Sequence, residues 1–455
     1  MTLRPRPALA VAAALVLAAA SLALPYHPVY DPWAWLVWGR ELVHGGFETA
    51  AGPSWKPLPV LVDAPLSLFG DAAPQAWLLV ARTGWFSAAL LAGLLAARLS
   101  GREAGRWRWV AAVIAAASVA LTADSFTPPL RQFTGGLSEP LLVALVLGAI
   151  WAALDERRGW VLGLGTAAAL LRPEVWPFLA LWAYFASRGR PHLRAAAIAC
   201  AILIPLAWFV PDILGAGTPL EGGETARAGG IEPLDGLDVL GRAFVAPLLP
   251  CWIGLAALFG LGRNPDRNLK ILLAGAAAWI VLVALMAIVG FAGLPRFLAP
   301  ATAIIAVLGS VGIARTAAGC GRLSASHGGR SSTTLLRGLI AATLVLAAFG
   351  VGWRVSQIPG DVRVVERQTS SIDHLFDLIE ETGDARLLTC QGYVRMTRVR
   401  EQTALAWQLD EPISSVAIRR RPRYGVAIST KPLPGGDVIA HAGGWRATRF
   451  PCPTR

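Results

Sequence analysis

Asp31, Arg40, Glu41, His44, Glu48, Lys56 and Asp63 all fall in one stretch, Asp31–Gly70, among Trp33, Trp35, Trp38 and Trp55. Apolar runs precede and follow it, so these charges are held where a membrane meets water. Asp31 follows the first apolar run directly, and at such a surface a carboxylate can take a proton from a hydroxyl while partial desolvation tunes its basicity. Its plainer role, with Pro32 beside it, is to cap a helix start. Lys56 and Arg40 are either headgroup-facing charges or a clamp on a phosphate. Trp33 and Trp55 belong to an interfacial aromatic belt or wall a sugar site.

Further along, Glu139 opens an apolar run, Arg172 and Glu174 flank Pro173, and Arg296 follows Pro295. An ionisable group at or within an apolar span is a functional candidate, because burying it without a reason is costly. The plainer alternatives are helix capping and mutual pairing, above all for Arg172 with Glu174.

The elements that must carry these residues are set by composition. Of 455 residues, 55% are hydrophobic and 15% charged, mean hydropathy is +0.53 and net charge is +12. This is a polytopic membrane composition, and it excludes an ordinary soluble domain. The basic residues sit in short clusters between apolar runs, a topological pattern that argues against nucleic-acid binding. The scarcity of lysine beside abundant Arg, Ala and Gly points to a GC-rich bacterial source.

A membrane helix needs about 20 apolar residues. About eleven spans are expected: Ala8–Leu24, Ala76–Leu99, Trp109–Ala123, Glu139–Leu154, Trp160–Leu171, Val175–Ala186, Ala195–Val210, Phe244–Leu261, Leu272–Phe291, Phe297–Ile313 and Leu339–Trp353. The fifth and sixth are short enough to be one broken hairpin. The first is read as an uncleaved helix, with a cleaved signal peptide as the alternative. Alternating sides from a cytoplasmic N-terminus puts most arginines inside, including Arg98–Arg108, Arg157, Arg158, Arg188–Arg194 and Arg315–Arg337. That bias orients the chain with its N-terminus in and its C-terminus out. It leaves Arg40, Lys56, Arg82, Arg131, Arg172, Arg227, Arg242 and Arg296 outside, unexplained by topology.

Residues 1–353 are thus expected to form a transmembrane domain whose first outer loop spans 25–75. Residues 354–455 are expected to form a small extracytoplasmic α/β domain. In that tail Ser370 and Ser371 are expected to cap a helix to Glu381, with strands at Ala385–Cys390, Tyr424–Ser429 and Gly444–Phe450. Cys390 and Cys452 are candidates to pair in an oxidising compartment. Gly- and Pro-rich 211–242 is expected to be a mobile outer loop, and 314–334 a flexible inner linker. No metal-ligand spacing and no phosphate-cradling Gly motif occurs, so no cofactor is expected, although a divalent metal would be compatible.

Asp31, then Trp55-Lys56-Pro57-Leu58-Pro59, Leu68-Phe69-Gly70 and Ala81-Arg82, resembles the opening of the GT-C glycosyltransferases. These include the polyprenyl-phosphate-sugar-dependent protein mannosyltransferases and the lipid A aminoarabinose transferases. Glu139 stands where many relatives have Asp; Leu171-Arg172-Pro173-Glu174 and Pro295-Arg296-Phe297 resemble further landmarks of the family. The resemblance covers roughly 8–313 and implies an all-α GT-C fold. It also implies transfer of a sugar, with inversion, from a polyprenyl-phosphate donor to a glycan, lipid or protein acceptor at the outer face of a bacterial plasma membrane. Asp31 would be the base and Glu139 its partner or an acceptor-binding group; Lys56, Arg82, Arg172 and Arg296 would face the phosphate. A transporter of lipid-linked intermediates is the alternative, but such proteins favour internal repeats and charges near the midplane. A membrane scaffold displaying the tail domain would leave Asp31, Glu139 and Arg296 without purpose.

Overall fold

The structure is a computed structural model and describes residues 7–24, 26–122, 129–227, 235–260, 265–325, 330–388, 394–419, 422 and 424–452. The helices in chain order are α1 (Pro7–Ser21), α2 (Tyr30–His44), α3 (Pro57–Leu66), α4 (Ala73–Ser100), α5 (Trp107–Ala120), α6 (Pro129–Thr134) and α7 (Glu139–Leu154). They continue with α8 (Arg158–Ala169), α9 (Trp176–Ala186), α10 (Pro191–Ala216), α11 (Glu221–Ala226), α12 (Asp235–Val245), α13 (Leu249–Gly260), α14 (Arg267–Ile288) and α15 (Ala299–Ala325). The last are α16 (Arg330–Thr382), α17 (Asp384–Leu387) and α18 (Gln402–Gln408).

Ten of the expected spans fall mainly on one helix each, whereas Phe244–Leu261 is broken between Val245 and Leu249. Five of the described helices pass a span test of length and hydropathy on their own, and α12 with α13, bent by 90°, makes a sixth if counted as one broken span. Apolar side chains on α10 and α14 such as Ile202, Leu203, Val281 and Leu285 are exposed, as a lipid-facing surface requires. Helix α15 is instead packed on most sides, against α4, α5, α13 and α14. Small residues permit its closest approach: a Cβ on Gly309 would lie 2.1 Å from the Cys251 carbonyl, and one on Gly254 would lie 2.0 Å from that of Gly309.

The tail forms a mixed five-stranded sheet: β1 (Val394–Met396), β2 (Val416–Ile418), β3 (Gly425–Ser429), β4 (Asp437–Ala442) and β5 (Trp445–Phe450), ordered β2-β1-β3-β5-β4. β1 runs parallel to β2 and β3, while β5 is antiparallel to β3 and β4. Its core is shared with the first loop: Trp33, Trp35, Leu36, Val37 and Trp38 of α2 cluster with Leu375, Leu378, Leu405, Val426 and Trp445.

Several local expectations fail for one reason, that helices continue wherever their backbone has no break. Ser370 and Ser371 cap nothing, because α16 runs unbroken from Arg330 through Thr382 and so crosses the 353/354 boundary. At ~1.5 Å per residue this helix carries the chain from the membrane to the sheet. Residues 385–387 are helical rather than extended, and Cys390 lies outside the described residues. The 314–334 linker is helical on both sides of the undescribed 326–329, and 211–242 contains the end of α10, α11 and most of α12.

Candidate active site

Six of the sequence candidates meet, although they come from five separate segments. The Glu139 carboxylate, at the first position of α7, is the hub: its Oε1 lies 2.5 Å from Arg172 Nη2, 3.6 Å from Lys56 Nζ and 3.7 Å from Arg296 Nε. The start of a helix suits an anion. Arg172 also reaches Glu174 at 3.9 Å, and its guanidinium lies over the Phe297 ring at 3.9 Å from the centroid. Lys56 donates to Ser138 Oγ at 3.2 Å and sits 4.9 Å from the centroid of the Trp35 ring. Arg296 Nη2 lies 3.6 Å from Asp31 Oδ2, which links the second carboxylate to the first.

Backbone contacts explain how distant segments hold this register. Val29, which caps α2, donates from its N–H to Gly135 O at 2.9 Å, and Trp77 donates from Nε1 to Gly136 O at 2.9 Å. Gly136 has φ +73°, and a Cβ there would lie 3.0 Å from Trp77 Nε1, so the turn between α6 and α7 requires glycine. The Leu58 N–H donates to Leu170 O at 3.1 Å, bringing Lys56 to Arg172. Trp279 Nε1 donates to Phe297 O at 2.8 Å and fixes the turn that carries Arg296. Asp31 lies one residue inside α2, and no side-chain bond caps that helix, so the capping role fails and the carboxylate is left for other work.

The two acids are not equivalent. Glu139 is 1% exposed and enclosed by cations, while the Asp31 side chain is 17% exposed. Asp31 and Arg296 line a cavity of about 380 Å³ together with Tyr30, Arg131, Gln368, Thr369, Arg400 and Glu401. On its other side Arg296 lines a narrow crevice of about 50 Å³ with Trp85, Val119, Val143, Ala299 and Ala303. Lys56, immediately before an apolar helix, has its pKa lowered to about 8; burial is the largest cause, partly offset by Glu139, with Arg172 lowering it further.

Trp33 lines the Asp31 cavity as well, packed edge-on against Phe376, and three candidates lie elsewhere. Arg82 is fully buried and donates to the Ser21 carbonyl at 2.7 Å, stapling α4 to the end of α1. Arg40 donates to the carbonyls of Trp407 and Glu411 and pairs with Asp410 at 2.8 Å, so it holds the tail domain. Trp55 donates to Ala207 O at 3.0 Å and is a core residue.

Sequence reasoning passed over Arg400 and Glu401, because nothing in a polar tail marks them, and over Tyr30, whose hydroxyl donates to Gln402 Oε1 at 3.2 Å. Arg131 stood among the unexplained outer charges but was assigned nothing. Among the described residues no three His, Cys, Asp or Glu side chains are placed to hold a metal ion.

No protein-family model matches the chain, and no curated protein is similar to it in sequence. Its fold does match solved structures. Crystal structures of ArnT from Cupriavidus metallidurans, in the apo state and bound to undecaprenyl phosphate, each superpose with a TM-score of 0.53 at 17% identity, covering 97% of this chain and 97% of ArnT. The chain therefore shares the fold of these structures, with the small tail domain included.

Proposed function

We propose that this protein is an integral membrane glycosyltransferase that moves a sugar from a polyprenyl-phosphate carrier to a cell-envelope acceptor at the extracytoplasmic face, with inversion. The observation that carries this reading is the convergence of Lys56, Arg172 and Arg296 on one sealed carboxylate, beside a second carboxylate that opens on a cavity. The ArnT likeness supports the fold of such an enzyme, and one of the two ArnT structures holds undecaprenyl phosphate.

The chemistry follows from which carboxylate is accessible. Asp31 faces the cavity and accepts the proton of the acceptor hydroxyl as its oxygen attacks the anomeric carbon from the face opposite the phosphate. The carbon–oxygen bond to the phosphate breaks, and the polyprenyl phosphate leaves with the electron pair. Lys56, Arg172 and Arg296 neutralise the charge that develops on it. Glu139 holds those three cations close together against their mutual repulsion, which makes it a positioning residue rather than a second base. The apolar crevice beside Arg296 offers the isoprenoid next to its phosphate an entry between α4, α5, α7 and α15.

The test is transfer of labelled sugar from a panel of polyprenyl-phosphate donors to envelope acceptors in membranes holding matched amounts of wild type or Asp31→Asn. The substitution keeps shape and removes the base, so a loss on the order of 10²–10⁴-fold is expected. Full activity in Asp31→Asn would refute the assignment of the base. If wild type transferred nothing from any donor while movement of lipid-linked intermediates across the bilayer depended on it, the protein would be a transporter.

A further inference from the structure

Far from the Asp31 cavity, α1, α4 and α5 enclose a groove of about 470 Å³ that opens toward the bilayer. Its floor is Ala10, Ala13, Gly93, Ala112 and Ala116, and no polar side chain lines it. Helix α4 starts beside the first outer loop and ends at Ser100, so at ~1.5 Å per residue Gly93 lies roughly 10 Å from its far end. The groove is therefore in the leaflet opposite the cavity, the inner one in the proposed orientation. Its α5 wall runs into a cationic turn. Arg108, Ala112 and Ala116 follow one another at four-residue spacing, as do Trp109 and Val113, so both stripes continue from the groove to the membrane surface. A helical side chain leans toward the N-terminus of its helix, which carries the Arg108 head away from the apolar floor to the headgroup level. Trp109, half exposed and 4.9 Å from the Arg108 guanidinium, marks that level. Arg102 and Arg106 stand in the turn just before α5. Among the described residues these three arginines make no hydrogen bond or ion pair through their side chains, whereas Arg98 pairs with Asp155 at 2.7 Å and Arg315 with Asp266 at 3.0 Å on the same side. The acid of the turn, Glu103, is folded back on Gly101, where a Cβ would lie 2.1 Å from its Oε1.

We infer that this groove binds an anionic phospholipid of the leaflet it faces, with one acyl chain along the alanine floor and the phosphate held by Arg102, Arg106 and Arg108. The small residues of the floor would also admit a membrane helix of another chain. The cations decide between the two: an apolar helix laid there would leave three like charges unanswered at its end, whereas a lipid phosphate meets them with charge-assisted bonds. The inference needs only that the chain spans a membrane and does not rest on the glycosyltransferase reading. Position sets the role of the lipid. Arg82 staples the outer end of α1 to α4, and the acyl chain ties the other half of α1 to α4 and α5. Trp85 of α4 and Val119 of α5 line the crevice beside Arg296, so the lipid braces two walls of that crevice from the opposite leaflet.

The experiment uses the full chain, delipidated in a neutral detergent and titrated with phosphatidylglycerol or phosphatidylcholine, with native mass spectrometry counting retained lipid and thermal unfolding reporting its effect. Saturable retention of phosphatidylglycerol with a rise in Tm is expected, and neither with phosphatidylcholine. Arg106→Gln and Arg108→Gln should each weaken retention by about fivefold. Ala13→Phe and Val113→Phe, at exposed positions that fill the groove without entering the helix contacts, should abolish it. Without lipid all four variants should unfold at the wild-type temperature, which separates loss of the site from loss of the fold. The two arginines make no side-chain hydrogen bond or ion pair among the described residues, so their variants keep the test valid even where a phenylalanine disturbs packing. Equal retention of phosphatidylcholine, or retention of phosphatidylglycerol that none of the four substitutions changes, would overturn the site. A dimer that forms without lipid and is lost in Ala13→Phe would overturn it too, by giving the groove to a second copy of the chain. Sugar transfer enters none of these readouts, so failure of the functional reading would leave them standing.

Discussion

At the scale of single residues, the cluster divides into groups whose removal should have different effects. Arg172 is the nearest partner of the buried Glu139, and deleting one side of a buried pair costs about 3–5 kcal/mol because the other charge is stranded. Loss of activity in an Arg172 variant would therefore not separate misfolding from chemistry. Lys56 is the better probe, since Glu139 keeps Arg172 and Arg296 when Lys56 is neutralised. Its pKa, held near 8 chiefly by burial, keeps the ammonium charged below that pH and neutral above it. Apparent kcat/KM for the lipid donor, which reports the free enzyme, should therefore fall as pH rises through about 8. In Lys56→Arg that alkaline limb should vanish, because guanidinium does not titrate there, and in Lys56→Gln the value should be low at every pH. An unchanged limb in Lys56→Arg would assign the titration to another group. Asp31, Lys56, Glu139, Arg172, Glu174 and Arg296 were legible from sequence because a charge at the end of an apolar run is conspicuous. Arg82 and Arg40 were equally conspicuous, yet they spend their charge on backbone carbonyls, a use that sequence position does not distinguish from phosphate binding.

At the scale of elements, α2 is clamped between two bodies. One face packs on α3, and α18 of the tail domain packs against it as well. Arg40 is the polar fastening: it donates to two carbonyls, pairs with Asp410 and lies 5.1 Å from the centre of the Trp407 ring. Asp410 is largely exposed, so that ion pair contributes little, and the bonds from the charged guanidinium to Trp407 O and Glu411 O dominate. Arg40→Ala should cost about 2–3 kcal/mol of tail-domain docking. Limited proteolysis of the tail in detergent should speed up, while undecaprenyl phosphate affinity should remain at the wild-type level because Arg40 lies outside the cation cluster. Loss of that affinity would restore Arg40 to the phosphate site. The helices themselves were readable from apolar length. Their ends were not, because the continuation of α16 through Ser370 depends on packing against β4 and β5, which no local pattern records.

At the scale of the whole molecule, the structure tests the alternation of sides without reference to any membrane. The first outer loop and the tail domain share one core, so they lie on the same side, and an even number of crossings must separate them. The expected spans from Ala76–Leu99 to Leu339–Trp353 number ten, and the count stays even if α8 and α9 form a broken hairpin rather than two crossings. Asp31, Glu139, Arg172 and Arg296, placed at four different outer turns by that alternation, meet in one cluster. An odd count would have put some of these charges on the opposite face from the rest. What parity leaves open is which face this is; the proposed function takes it as the outer one, because Arg188, Arg190 and Arg194 fall at turns of the other side. In spheroplasts, a membrane-impermeant maleimide should label Lys431→Cys in intact cells, above the background of the parent chain. It should label Arg188→Cys only after permeabilisation, since both positions are exposed. The reverse pattern would place the cavity in the cytoplasm, within reach of nucleotide-activated sugars, and would remove the reason for a lipid-borne donor.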